Sequence, residues 1–181
     1  MALSWLTMNR LQKYNILYIF VAFVIIGTMF SACGIYSFTG ASIPPEAKTV
    51  SVQYFPNRAL LIEPTLSSVF TDILRDMFTS QTNLEMVERN GDLAIEGEIV
   101  NYKITPVAIQ ADQTAAQNRL TIVINARFTN KFEPDKDYET KFTQFYDYSS
   151  TEDLNSIKEQ LIDELSTNLA QDIFDKAVIN W

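Results

Sequence analysis

Cys33 is the only thiol in the 181-residue chain, and its surroundings specify a reaction. It follows an uncharged run over residues 14–32, behind Arg10 and Lys13, and sits in Phe30-Ser31-Ala32-Cys33-Gly34. Small residues directly before a cysteine, at the end of a basic and then apolar leader, fit a bacterial lipoprotein signal. The thiol would receive a diacylglycerol, the peptide bond before it would be cut, and acylated Cys33 would become the N-terminus. The strongest apolar stretch, residues 16–26, has signal length, and Gly27 and Thr28 loosen the helix before the cut. Phe30 stands where an aliphatic residue is usual. The alternative is an uncleaved signal anchor, because a membrane helix needs only about 20 apolar residues. Translation starts at Met1 or Met8. Gly34 occupies the position where an aspartate would signal inner-membrane retention, so the expected address is the periplasmic face of the outer membrane, held by lipid.

The remaining chemistry is defined by what is missing. The chain has no histidine, which removes imidazole zinc sites, a Ser-His-Asp triad and a histidine base. Its five glycines, Gly27, Gly34, Gly40, Gly91 and Gly97, form no phosphate-cradling loop. Glu96 and Glu98 are the nearest carboxylate pair, but on a strand they share one face and read as a solvated surface. No catalytic residue, no metal site and no cofactor beyond the lipid on Cys33 are expected. Residues 33–181 carry 12 basic and 22 acidic side chains, a formal net charge of −10. That balance excludes a general nucleic-acid binder, which needs a basic face, and broad adsorption to anionic lipid. With its thiol acylated, the mature chain has no disulfide and must rely on a core, which its length supports.

Three segments follow from this: a cleaved signal over 1–32, a lipidated tether over 33–47 with two glycines and Pro44-Pro45, and one domain over 48–181. Residues 48–55 alternate, with Val50, Val52 and Tyr54 on one side of a strand that Pro56-Asn57-Arg58 ends. Pro64 suits a first helical position. Leu66, Val69, Phe70, Ile73, Leu74, Met77 and Phe78 then form one apolar stripe, with Ser67, Ser68, Thr71, Asp72, Arg75 and Asp76 on the remainder. Burying that stripe gains about 10–20 kcal/mol before entropy, at roughly 1.5–3 each.

Leu84, Met86 and Glu88 make a short strand, and Asn90-Gly91 predicts a hairpin turn into the next. Leu93, Ile95 and Gly97 alternate, and the apolar phase then slips to Val100, Tyr102 and Ile104, as a bulge near Gly97 would produce. Residues 106–116 read as a polar loop. Residues 117–132 form a long strand with Leu120, Ile122, Ile124, Ala126 and Phe128 inward, and Arg119, Thr121, Asn125, Arg127 and Thr129 outward. After a turn at residues 133–137, residues 138–148 return as its partner. Ser150-Thr151-Glu152-Asp153 caps a final helix whose stripe is Ile157, Leu161, Leu165, Leu169, Ile173, Phe174 and Val178. The predicted fold is α+β: a two-layer sandwich of a mainly antiparallel four- to five-stranded sheet with two amphipathic helices on one face.

The opening of the mature chain, Ser31-Ala32-Cys33-Gly34-Ile35-Tyr36-Ser37-Phe38-Thr39-Gly40-Ala41-Ser42, resembles that of LptE-type lipoproteins of lipopolysaccharide assembly. Thr49-Val50-Ser51-Val52-Gln53-Tyr54-Phe55, the Pro-Thr-Leu-Ser helix opening, and Asp172-Ile173-Phe174-Asp175-Lys176-Ala177-Val178-Ile179-Asn180-Trp181 are similar to the same group. The resemblance implies a non-enzymatic lipoprotein that plugs the lumen of the barrel protein LptD and helps deliver lipopolysaccharide to the outer leaflet. It implies two helices on a small sheet, in agreement with the pattern above. The rival reading is an envelope lipoprotein that docks on another complex or holds a lipid ligand.

For such a role the cations of residues 119–141 are the candidate contacts: Arg119, Arg127 and Lys131 share strand parity, with Lys136 and Lys141 nearby. Guanidinium groups suit bidentate capture of phosphate or carboxylate. They would face lipid A phosphates or acids of the barrel wall. The bland alternative is a solvated face balanced by Glu133, Asp135, Asp137 and Glu139. Phe142, Phe145, Tyr146 and Tyr148 include both parities of the last strand, so at least one must point away from the helices.

Overall fold

The computed structural model describes residues 43–107 and 116–178. Cys33, Gly34, the leader, most of the tether and the last three residues lie outside them. The elements are β1 (Thr49–Val52), α1 (Leu66–Gln81), β2 (Glu85–Met86), β3 (Leu93–Val107), β4 (Gln117–Asn130), β5 (Tyr138–Ser149) and α2 (Leu154–Val178), with a short 3-10 turn, Pro134–Lys136, before β5. The fold is the expected two-layer α+β sandwich.

The sheet runs β2-β1-β3-β4-β5 and is mixed. β1 pairs in parallel with both β2 and β3, whereas β3, β4 and β5 form an antiparallel meander. The cause is α1: a strand followed by a helix and then a neighbouring strand must return in the same direction. β1 therefore lies between β2 and β3, so Asn90-Gly91 does not close the hairpin that the dipeptide predicts. Residues 87–92 instead arch across β1. Asn90 takes a left-handed φ of 57°, and Gly91 donates its N–H to the Ser51 hydroxyl at 3.2 Å. A Cβ on Gly91 would come within 2.5–2.7 Å of the backbone of Ser51, Leu93 and Val50. Glycine is required there by close approach rather than by a turn.

β1 is also shorter than its alternation suggests. The Phe55 N–H leaves the ladder and donates to the Thr71 hydroxyl at 3.1 Å, which brings Phe55 into the core and turns Tyr54 outward, 55% exposed. The same bond accounts for the burial of Thr71, expected on the polar side of α1; Ser67, expected there too, is also buried. α1 begins at Leu66 with Thr65 as its cap residue, so Pro64 precedes the first turn instead of opening it. In α2, the Asp153 carboxylate accepts the Asn155 N–H at 3.1 Å and caps the N-terminus. Pro106 and Val107 extend β3 rather than starting a loop. The β3–β4 register slips between Ile99 and Asn101, about one turn of the pleat beyond the expected bulge. Ile99 and Tyr102 are consequently both buried although they are three residues apart.

The core fills the space between the helices and one face of the sheet. Leu93, Ile95 and Ile99 of β3, and Leu120, Ile122, Ile124, Ala126 and Phe128 of β4, meet Leu66, Phe70, Leu74 and Phe78 of α1 and Leu161, Leu165, Leu169 and Ile173 of α2. Val69 and Ile73 of α1, and Ile157 of α2, complete the stripes while partly buried. Edge-on aromatic pairs fix the layers: Phe55 on Phe70 at 5.0 Å, and Phe78 of α1 on Phe174 of α2 at 4.9 Å. The Ser166 hydroxyl of α2 is buried in this layer with no hydrogen-bond partner among the described residues.

Candidate functional site

The side of β3, β4 and β5 away from the helices is covered by no described element. Strand alternation dictates its residues: Glu96, Glu98, Asn101 and Lys103 from β3, Arg119, Thr121, Val123, Asn125 and Arg127 from β4, and Glu139, Lys141, Thr143, Phe145 and Asp147 from β5. Four carboxylates and four cations share this face, so it is neutral and finely mixed. Gln53, Tyr54, Glu96, Glu98, Asn125, Arg127 and Glu139 line a shallow polar basin on it. Its floor includes Gly97, where a Cβ would meet the Asn125 carbonyl and the Phe55 ring. The carboxylate pair Glu96 and Glu98 belongs to this basin, with Glu96 opposite Arg127 and Glu98 opposite Asn125 in the ladder.

The three candidate cations lie on or beside this face, but the structure does not bring them together. Arg119 and Arg127 are eight residues apart on β4, about 27 Å of strand, and Lys131 follows the strand end. Each has a carboxylate of its own. Arg119 donates through Nε and Nη2 to both oxygens of Asp147, each at 2.7 Å, and its guanidinium lies 3.8 Å over the Phe145 ring. The pair pulls the Asp147 carboxyl below its ordinary range through the hydrogen bond from Arg119 and raises the guanidinium correspondingly. Arg127 is 3.7 Å from Glu96 and stands between Glu96 and Glu139 in the register. Lys131 reaches the Asn90 carbonyl at 3.0 Å and Asp92 at 3.4 Å. Lys136 pairs with Glu133 at 2.9 Å.

Of the strand aromatics, Phe145 points to the open face and is half-exposed, whereas Tyr148 is buried and Phe142 and Tyr146 pack partly against the core on the helix side.

The two ends of the sandwich differ. At one end, where the described chain enters, Asp92 gathers the N–H groups of Lys48 and Thr49 and the Thr49 hydroxyl at 3.0–3.1 Å. These bonds, the Lys48 N–H first, hold its carboxyl down to about 2. At the other end lie residues 57–63, part of the connection from β1 to α1. Their polar groups turn inward. Asn57 accepts the Ala59 N–H at 3.0 Å and donates to the Glu63 carbonyl at 3.3 Å, and the Arg58 N–H donates to the Ile99 carbonyl at 2.8 Å. Glu63 is buried and ion-paired to Lys158 of α2 at 3.0 Å. Burial alone would raise its carboxyl, but hydrogen bonds from Lys158 and Thr65 outweigh it and hold the group below its ordinary range. The apolar side chains turn outward: Leu60 is fully exposed, Ile62 is 65% exposed and Leu61 half-exposed. Periodicity misses this loop because Leu60-Leu61-Ile62 is a short run with no face; the run itself, between a turn and a helix start, is its only trace in the sequence.

The profile of the family described as LptE, lipopolysaccharide-assembly, matches residues 47–177, which is most of the chain. The chain belongs to the LptE family. No curated protein matches it. Solved structures similar to it include a minor lipoprotein from Acinetobacter baumannii, at 13% identity, TM-score 0.48, covering 72% of this chain and 91% of that one. A lipoprotein B from Nitrosomonas europaea follows at 14% identity, TM-score 0.46, with 78% and 86% covered. The rare lipoprotein B from Shewanella oneidensis has 13% identity, TM-score 0.44, with 68% and 91% covered. The LptE profile spans both helices and all five strands, and therefore the open face and both ends of the sandwich.

Proposed function

We propose that this LptE-family member is an outer-membrane lipoprotein, anchored through acylated Cys33 on the periplasmic side, that acts without catalysis as the assembly partner and plug of an LptD-type barrel in lipopolysaccharide transport. The observation that carries this reading is the open sheet face within the region the family profile matches. A protein seated in a barrel lumen meets water and polar side chains. A face with four charges of each sign, two of each joined across strands as Arg119–Asp147 and Arg127–Glu96, suits that environment better than an apolar or single-signed one.

Arg119, Arg127 and Lys131 serve this reading as contacts to the barrel wall more readily than as phosphate clamps. The guanidinium fork of Arg119 already holds Asp147, so capture of a lipid A phosphate would first have to break a bidentate pair. The test is purification of the acylated full-length protein from envelope membranes. Recovery of a large barrel in fixed ratio, together with loss of surface lipopolysaccharide on depletion, is expected. Recovery without a barrel and intact surface lipopolysaccharide after depletion would overturn the reading.

A further inference from the structure

We infer that the β1–α1 loop is a preorganised docking element, and that Leu60, Leu61 and Ile62 insert into an apolar pocket with a basic rim on the barrel partner. This rests on the function proposed above.

A loop with exposed aliphatic tips and buried polar stems reverses the usual order of burial. Here the reversal is held in place. Residue 57 bridges to Ile99 of β3, Ala59 is buried, and Glu63 is fastened to α2 through Lys158 and to Thr65 at 3.2 Å. The ordering that docking would otherwise require is therefore built into the free protein. Nothing in the domain needs the three side chains outside for its own stability, whereas an interface core draws on such groups.

Charge selects the occupant. The neighbouring start of α2 carries exposed Glu152 and Asp153, with Glu159 close behind, and its Lys158 is spent on Glu63. Arg58 is the one cation of residues 58–63. Carboxylates beside an apolar tip repel lipid phosphates and match a pocket bordered by Lys or Arg.

The test uses the full-length acylated protein. Replacing Leu60, Leu61 and Ile62 together by serine leaves the core untouched, and an unchanged melting temperature would verify that. Co-purification of the barrel is expected to fall by about 100-fold or more, since three aliphatic side chains lose their pocket. A photocrosslinking residue at Leu60 should give an adduct with the barrel in cells. If the wild-type protein retrieves the barrel and the triple variant retrieves it equally, the loop inference fails while the proposed function stands. If the Leu60 probe labels lipid in place of the barrel, the occupant is a membrane and the inference is overturned. If the wild-type protein retrieves no barrel, the function and the inference fall together.

Discussion

The two outer surfaces of the sandwich are built from the same chain under different electrostatic rules. On the helix layer, Asp72, Asp76, Glu159, Asp163, Glu164, Asp172 and Asp175 stand against Arg75, Lys158 and Lys176. On the open face of the sheet, Glu96, Glu98, Glu139 and Asp147 are matched by Lys103, Arg119, Arg127 and Lys141. The helix layer therefore carries an excess of acids, and the loops and ends of the sandwich carry the rest of the protein's negative charge. The uncovered face is neutral. A domain that only needed solubility could spread its acids evenly; here the excess is kept off the side left free to meet another molecule.

The sharpest way to break this contrast is to truncate one aromatic on each side. Phe78, fully buried between α1 and Phe174, should lose about 3–5 kcal/mol on Phe78→Ala. Phe145, half-exposed under Arg119, should lose less than about 1 kcal/mol on Phe145→Ala, the scale of an exposed cation–π contact. Denaturant unfolding of the two variants decides it, and equal losses would mean the open face is structural. Gly91→Ala should cost about 3 kcal/mol, because the new Cβ meets backbone on three sides; a loss below about 1 kcal/mol in the same assay would contradict the arch across β1.

Acid should act on the carboxyls held below their ordinary range, and Asp92 is the clearest case. Asp92 has a folded pKa near 2, below its ordinary 3.8, so the stability it contributes is present above about pH 4 and is lost as pH falls toward 2. Asp92→Asn should flatten the stability profile across that window, as followed by thermal melts from pH 5 to pH 2. The smallest effect is expected at Ser166. Its hydroxyl is buried without a partner among the described residues, so Ser166→Ala should leave the melting temperature unchanged or raise it, by about 1 kcal/mol of stability at most.

The fold was largely legible because most elements bury one face and so show their period. The β4 set, Leu120 to Phe128, and the stripes of both helices correspond to buried or partly buried positions. The sequence was silent where a single bond decides. Thr71 reads as a polar helix residue until Phe55 is seen donating to it. Asn90-Gly91 reads as a hairpin until β1 is found between its flanking strands, because strand order is a long-range property that no dipeptide encodes. Val100 rather than Gly97 carries the bulge, and glycine at 97 answers instead to the Phe55 ring. Among the candidate contacts, shared parity put Arg119 and Arg127 on one face correctly. Parity could not reveal that Asp147 and Glu96 sit opposite them.

The most direct test is which surface meets the partner. Photocrosslinking residues at Thr143, exposed at the centre of β5 on the open face, and at Glu164, exposed on α2, compare the two surfaces in the acylated protein in cells. A barrel adduct from position 143 and a much weaker one from position 164 are expected. A strong adduct from 164 with none from 143 would contradict docking through the open face.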